Sequence, residues 1–531
     1  MKRIITLCLV LVASAQLWAQ SSSTLTIPRT EGEYWWGGAV GYGWRMPYLT
    51  PVAPFDLSRD NSNNQVCPLL VSSTGRWLWS DVPFTFEVKE DGSIVVTSQY
   101  EELSIRQAAD ASLRGAYLEA ATGNFPSDGT LPNELFFTMP QYNTWMELAY
   151  DQNQEDILQY ARDVVANGFP TGVLMIDDNW QQNYGNFDFR PDKFPDPKGM
   201  VDELHAMGFK VMLWVCPFVS PDSSEYRDLS RKGYLIRKQG SREPAVLSWW
   251  NGQSACYDLT NPEAFDHYVN ILKGMQAEYG IDGFKLDAGD NAIYTRAPID
   301  SWDKDALSVD HTTKWVEVGL QFPFNEYRAG WKMGGKPLVQ RLGDKDYSWE
   351  AVQALVPDMI AAGLMGYAYA CPDMIGGGQV GSFRGLGSDD FDQELIVRSA
   401  QTHTLMPMMQ FSVAPWRILS DENLAIVQEM ARLHERFGEY IIECARASSH
   451  NSEPIVRHME YSFPGQGFAE CKDQFMLGDK YLVAPMVKPG TSREVKLPRG
   501  NWLDDQGRRH RGGRTITIDV PLSRLPHFEK L

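Results

Sequence analysis

The sequence predicts an α/β protein: a (β/α)8 TIM barrel with an N-terminal β-sandwich domain before it and a C-terminal β-sandwich domain after it. Three observations carry that expectation. Apolar strand-like runs alternate with helical periodicity between residues 131 and 445, and the helices stop at glycines. Residues 21–130 and 446–531 show short strand-like runs between turns in place of that alternation. The chain has 531 residues, 43% of them hydrophobic, which is enough for several domains around a large core.

Taken in order, residues 1–20 read as a signal peptide. Lys2 and Arg3 precede an apolar run at 4–13, and small residues follow at Ala13, Ser14, Ala15 and Ala19. The run is shorter than the roughly 20 residues a membrane span needs. Cleavage near Ala19 or Gln20 is expected, with the product periplasmic or extracellular. Residues 21–130 lack helical periodicity and are rich in tryptophan (Trp35, Trp36, Trp44, Trp77, Trp79), with β-like runs at 84–88 and 93–98.

The barrel is expected to begin with a strand at 135–139 leading to Pro140. A helix follows, with Ile157, Tyr160, Ala161, Val164 and Val165 on its buried face, Asn153 as its cap and Asn167-Gly168 as its stop. The strand at 172–176 ends in Asp177-Asp178. Helix 201–207 stops at Gly208 before strand 210–215, and helix 262–279 stops at Gly280 before strand 283–286 and Asp287. Further strands are expected at 337–342, 365–370 and 405–410. Strands that are apolar throughout suit a sheet covered on both faces, and a repeat of this length suits a closed barrel. Beyond 445 helices should cease, with short strands at 475–479, 481–486 and 495–497.

Composition narrows the function. The net charge is -19 and no Lys/Arg cluster stands out, which argues against nucleic acid and anionic membrane partners. No later segment reads as a membrane span. The six cysteines after the leader are scattered without a C-x-x-C pair, which removes zinc and thioredoxin-like readings. Cys216 and Cys371 lie in apolar runs and read as buried free thiols. His434-Glu435 lacks the second histidine of a zinc protease, and no G-x-S-x-G occurs. Residues 376–381 match G-x-G-x-x-G but open no apolar helix, so they read as a flexible loop.

Polar residues gather at one kind of place. Asp177, Asp178, Trp214, Asp287, Asp344 and Asp373 all follow strand-like runs, whose ends converge on one face of a barrel. Each aspartate alone has an ordinary alternative as a helix cap or turn residue. Asp177, Asp178 and Asp290 have a second alternative as ligands of a divalent cation. Together, and beside Trp180, Trp214, Trp249 and Trp250, they suit cleavage of a glycosidic bond. That chemistry needs one carboxylate to attack or stabilise the sugar carbon and another to protonate the leaving oxygen. It requires neither cofactor nor metal, and its partner is an oligosaccharide or glycoside.

The chain resembles glycoside hydrolase family 31 from about residue 25 to its end. The resemblance is carried, in order, by GVLMIDDNW, YGNFDFRPDKFPDP, KVMLWVCPF, SWWNG, DLTNPEA, GFKLDAGD, YACPDMIGG, MPMMQFSVAPWR and YLVAPMV. It implies Asp287 as nucleophile and Asp344 as acid/base, with Asp346 as the neighbour to be distinguished from it. It also implies Arg328, Asp177, Asp178, Asp373, Trp214, Trp250 and Lys285 around the sugar. Lys285 stands where the α-glucosidase branch has Trp, Asp290 where it has Glu, and Ser412 where it has His. These departures resemble the α-galactosidase-like branch. The resemblance thus implies a retaining, exo-acting α-glycosidase with a galactosidase leaning. An α-glucosidase, an α-xylosidase and a non-catalytic sugar binder are the alternatives.

Overall fold

The computed structural model describes residues 22–59, 64–383 and 385–531. The expected leader lies outside them.

Eight parallel strands form the central sheet. In chain order they are β1 (Gln141–Asn143), β2 (Val173–Ile176), β3 (Lys210–Val215), β4 (Gly283–Leu286), β5 (Phe324–Tyr327), β6 (Val339–Arg341), β7 (Ala370–Cys371) and β8 (Gln410–Phe411). The first seven pair in sequence order, and β8 pairs back onto β1. The remaining gap between β7 and β8 is narrowed by a bridge from Met374 to Gln410 and by the Ile375 N–H bond to the Gln410 carbonyl at 2.9 Å. The sheet is a nearly closed barrel.

The crossovers explain themselves locally. The helix Gln154–Ala166 is capped by Asn153, whose side chain accepts from the Asp156 N–H. Pro262–Tyr279 starts with Pro after an Asn261 cap and ends at Gly280 in the left-handed region (φ 81°). Pro197–Ala206, Ser308–Gly319, Trp349–Leu364 and Gln393–Thr404 complete the ring, and Asp421–Asn451 follows β8. Between β5 and β6 the helix is replaced by the strand Gly330–Trp331. That strand pairs with Gln65–Ser72 and so joins the barrel to an N-terminal sheet.

The N-terminal region is sheet-rich. One four-stranded antiparallel sheet contains Thr85–Val88 and Ile94–Ser98, and a second contains Trp35–Ala39, Gln65–Ser72 and Arg76–Trp79. The Phe86 ring fills the space between them, so close to Gly38 that no Cβ fits there. The C-terminal region is a six-stranded sheet with a separate two-stranded ribbon, and its core is built on Trp502, Phe528, Leu482 and Val495.

Several expectations need correction. Residues 135–139 do not form a strand. Leu135–Thr138 is one helical turn started by Asn133, and the first barrel strand is Gln141–Asn143. Val165 is 46% exposed, so it lies off the buried face of its helix. The N-terminal region carries the helix Leu113–Asn124, capped by Ser112. Helix persists past 445, to Asn451 and again at Met459–Ser462. Cys216 and Cys371 are buried free thiols as expected.

Candidate active site

The C-terminal ends of the barrel strands enclose a cavity of about 470 Å³, lined among others by Asp177, Asp178, Trp214, Trp250, Lys285, Asp287, Arg328, Arg341 and Asp344. The sheet register sets its floor. Trp214, Lys285 and Glu326 lie side by side on β3, β4 and β5. Lys285 Nζ is 2.6 Å from Asp177 Oδ2, with both side chains buried.

Asp287 follows β4 directly. Its Oδ2 accepts from Trp214 Nε1 at 2.7 Å and its Oδ1 from the Ala288 N–H at 2.9 Å, with an Arg328 Nη1 at 3.6 Å. Burial pushes its pKa up. The charges of Arg328, Lys285 and Arg341 and the Trp214 hydrogen bond outweigh that effect and hold Asp287 below the usual carboxylate range. Ala288 itself sits at φ 59° and Asp373 at φ 78°, two non-glycine residues in the left-handed region at the cavity.

Asp344 lies beyond β6, and 30% of its side chain is exposed. Arg341, the last residue of β6, places Nη1 2.7 Å from Asp344 Oδ1 and 2.7 Å from Asp373 Oδ1. Asp373 is fully buried, and its other oxygen accepts from the Lys345 and Gly378 N–H groups. Burial drives Asp373 up to about 6, the Asp344 charge adds to this, and Arg341 opposes it. Asp373 thus stands beneath the cavity wall. Asp346 is exposed and lines a neighbouring space instead.

A two-residue hairpin turn between Leu247–Trp249 and Gly252–Cys256 supplies Trp250 and Asn251. The Arg328 guanidinium lies 4.6 Å from the Trp250 ring centre, which fixes Arg328 between an aromatic face and the carboxylates of Asp287 and Asp290. Asn251 donates to Asp178 Oδ2 at 2.8 Å, and the Tyr184 hydroxyl does so at 3.1 Å. Asp178 Oδ1 has no protein partner. Burial and the charge of Asp177 push Asp178 up to about 7. Asp177, Asp178 and Asp290 are thus engaged by Lys285, by Asn251 and Tyr184, and by Arg328. Among the described residues no group of three or more His, Cys, Asp or Glu is arranged to hold a metal ion.

Residues 137–443 match the glycosyl hydrolases family 31 TIM-barrel domain, and residues 452–530 match the glycosyl hydrolase family 31 C-terminal domain. The chain belongs to glycosyl hydrolase family 31. Myogenesis-regulating glycosidase of Mus musculus is 30% identical over 431 residues, which cover 79% of this chain and 60% of the mouse protein. The 1,3-alpha-isomaltosidase of Kribbella flavida is 26% identical over 379 residues, covering 65% of this chain and 51% of that protein. The chain therefore spans between half and two thirds of these relatives. The family 31 dextranase of Flavobacterium johnsoniae, solved with glucose, superposes with a TM-score of 0.81 at 18% identity, over 96% of this chain and 66% of that one. Among the described residues no helix is long and apolar enough to cross a membrane.

Of the residues expected at the site, Asp177, Asp178, Trp214, Trp250, Lys285, Asp287, Arg328 and Asp344 line the cavity, whereas Asp290, Asp373, Ser412, Trp180 and Trp249 do not. Asp373 sits behind Arg341. Ser412 turns its hydroxyl to the Met146 N–H at 2.8 Å and is not among the cavity-lining residues. Arg341, Glu326, Gln410, Asn251 and Tyr184 escaped the sequence reading. Arg341 left a signal: a cation inside the strand-like run 337–342, three residues before Asp344. The loop read as merely flexible at 376–381 also belongs to the site. The Gly378 N–H binds Asp373, its carbonyl accepts from Trp145 Nε1 at 3.0 Å, and a Cβ at Gly378 would crowd both Asp373 and Asp344.

Proposed function

We propose that the chain is a retaining, exo-acting α-glycoside hydrolase that removes a terminal α-linked sugar, with galactose preferred. The observation that carries the reading is the pairing of two carboxylates in one sugar-sized cavity. Asp287 is kept ionised by three cations, and Asp344 is partly exposed at the rim. An Asp287 oxygen attacks the anomeric carbon as its bond to the leaving oxygen breaks, and Asp344 gives its proton to that oxygen. Arg341 engages Asp344 Oδ1, so the proton rides on Oδ2. A glycosyl ester on Asp287 results. Asp344 then takes a proton from a water that attacks the same carbon, Asp287 departs, and two inversions give net retention.

The galactose preference rests on Lys285 and Asp177, a charged pair lining the cavity where the α-glucosidase branch carries an indole. Such a pair offers both a donor and an acceptor to an axial hydroxyl. The similarity to an isomaltosidase supports an α-glucoside as the second reading. A panel of nitrophenyl α-galactoside, α-glucoside and α-xyloside tests both. Fastest release from the galactoside, lost in Asp287→Ala, is the expected result. Fastest release from another sugar moves the specificity, and binding without release from any sugar would leave a non-catalytic binder. The apolar run at 4–13 supports export, and N-terminal sequencing of secreted protein should then begin near residue 20.

A further inference from the structure

Asp344 acts as an acid only where its free oxygen meets the glycosidic oxygen, and its backbone sets that place. Arg341 fixes one oxygen of Asp344. The backbone is fixed by the next residue, Lys345, at three points. Its N–H donates to Asp373 Oδ2 at 2.8 Å, its carbonyl accepts from the Gln379 N–H at 3.0 Å, and its Nζ lies 2.6 Å from Asp358 Oδ2. The Lys345 side chain is 10% exposed and that of Asp358 1%. Lys345 is not among the residues lining the active-site cavity, and no step of the hydrolysis above uses it.

Asp358 is itself held from outside the barrel. It follows Pro357 within the helix Trp349–Leu364. Its Oδ1 accepts the Trp44 N–H at 3.1 Å, and the Trp44 carbonyl accepts from Lys472 Nζ at 2.7 Å. A Cβ on Gly43 would collide with the backbone of Pro357 and Asp358, so the segment Val40–Arg45 presses directly onto the helix. From the other side, Gly377 lies so close to the Lys345 carbonyl that no Cβ fits there either. Burial pushes the Asp358 pKa up, and the Lys345 charge opposes this. A buried ion pair adds little stability over packed apolar side chains, and breaking it strands a charge. What this pair supplies is a fixed place. An ammonium on a flexible stem is pinned to a helix that the N-terminal region holds down.

We infer that Lys345 is a positioning residue of the acid/base, anchored by Asp358 and, through it, by the Trp44 N–H of the N-terminal region. This role rests on Asp344 as the acid/base. With the pair intact, Asp344 Oδ2 stays within reach of the leaving oxygen. Without it, Lys345 keeps only its backbone bonds to Asp373 and to Gln379 of the loop that follows. Misplacing a reacting group by about 1 Å costs up to about 10²-fold in rate. Charge does not account for such a loss. A nearby cation favours the ionised form of a carboxylate, so its removal, by charge alone, helps an acid keep its proton.

Two substrates of the same α-linked sugar test this: a disaccharide, and a nitrophenyl glycoside whose leaving group departs without a proton. Lys345→Met should lower kcat/KM on the disaccharide by about 10–100-fold and leave the nitrophenyl glycoside within about threefold. The single variant strands Asp358, so Lys345→Met combined with Asp358→Asn is its companion. The double variant removes one cation and one anion, relieves the stranded charge and should show the same split between the substrates. Where the single variant does not fold, the double variant decides. Equal losses on both substrates, no loss on the disaccharide, or a double variant restored to the wild-type disaccharide rate would overturn the assignment. Failure of the catalytic reading looks different: the wild type itself cleaves neither substrate, and the role of Lys345 falls with it.

Discussion

Replacing Lys285 by Met removes one member of a buried pair and leaves the other. The magnitude follows from the surroundings. The side chains of Lys285 and Asp177 are 5% and 3% exposed, and Nζ–Oδ2 is 2.6 Å. Screening by water is therefore slight, and the cost is that of stranding a buried carboxylate, about 3–5 kcal/mol. Asp177 keeps one other donor, the Asp178 N–H at 2.9 Å on Oδ1, which places the expected cost near the lower end, about 3 kcal/mol. Asp177→Asn combined with Lys285→Met removes the stranded charge and should recover most of the loss. The pH dependence has a definite sign. Burial lowers the Lys285 pKa, but Asp177, Asp287 and Glu326 outweigh burial and raise it. The stabilisation is thus fully present below the ordinary lysine value, and it is lost only as pH climbs through the raised one. The gap between wild type and variant should hold constant through neutral pH and narrow in strong alkali. Urea unfolding followed by tryptophan fluorescence measures it. A single variant costing under about 1 kcal/mol, or a double variant no better than the single, would refute the reasoning.

Asp344→Ala should reduce kcat/KM by about 10²–10⁴ on a sugar leaving group and far less on nitrophenol, which departs without a proton; equal reductions would remove the acid role. Asp178 holds its proton up to about 7. Its unfolded counterpart ionises at the ordinary carboxylate value, so stability should fall as pH rises across that interval, and Asp178→Asn should flatten the fall. The same variant should erase a limb near pH 7 in kcat/KM, and a limb that persists assigns it to another group. Trp250→Ala frees the Arg328 guanidinium from its aromatic face and should raise KM more than it lowers kcat, read from initial rates on the best nitrophenyl glycoside.

Much of the barrel was legible because its helices carry their own punctuation. Asn153 and Gly280 mark helix ends in the sequence and do so in the structure. Strands β2, β3 and β4 were legible as apolar runs. Strands β1 and β5 were not, because their sequences QYN and FNEY are interrupted by polar residues. The reason is physical: this barrel fills part of its interior with a polar network. The Gln410 amide donates to Gln141 Oε1 at 3.0 Å and to Glu326 Oε2 at 2.8 Å, and Glu326 in turn faces Arg341 and Lys285. Inward polar side chains break the hydrophobic pattern that identifies a strand. The apolar run LFFTM, by contrast, is too short for its pattern to tell helix from strand. The site was legible where aspartates follow apolar strands. It was opaque where long-range folding brings a cation to them, as with Arg341, or where a hairpin turn reaches over from elsewhere, as with Asn251.

The central claim is that Asp287 forms a bond to the sugar. A fluorinated glycosyl fluoride, which slows hydrolysis of the ester, combined with peptide mapping by mass spectrometry, tests it most directly. We predict one sugar mass on the peptide containing Asp287 and none in Asp287→Ala. An adduct on a different residue, or release of a sugar whose first-formed anomer is inverted, would contradict the account.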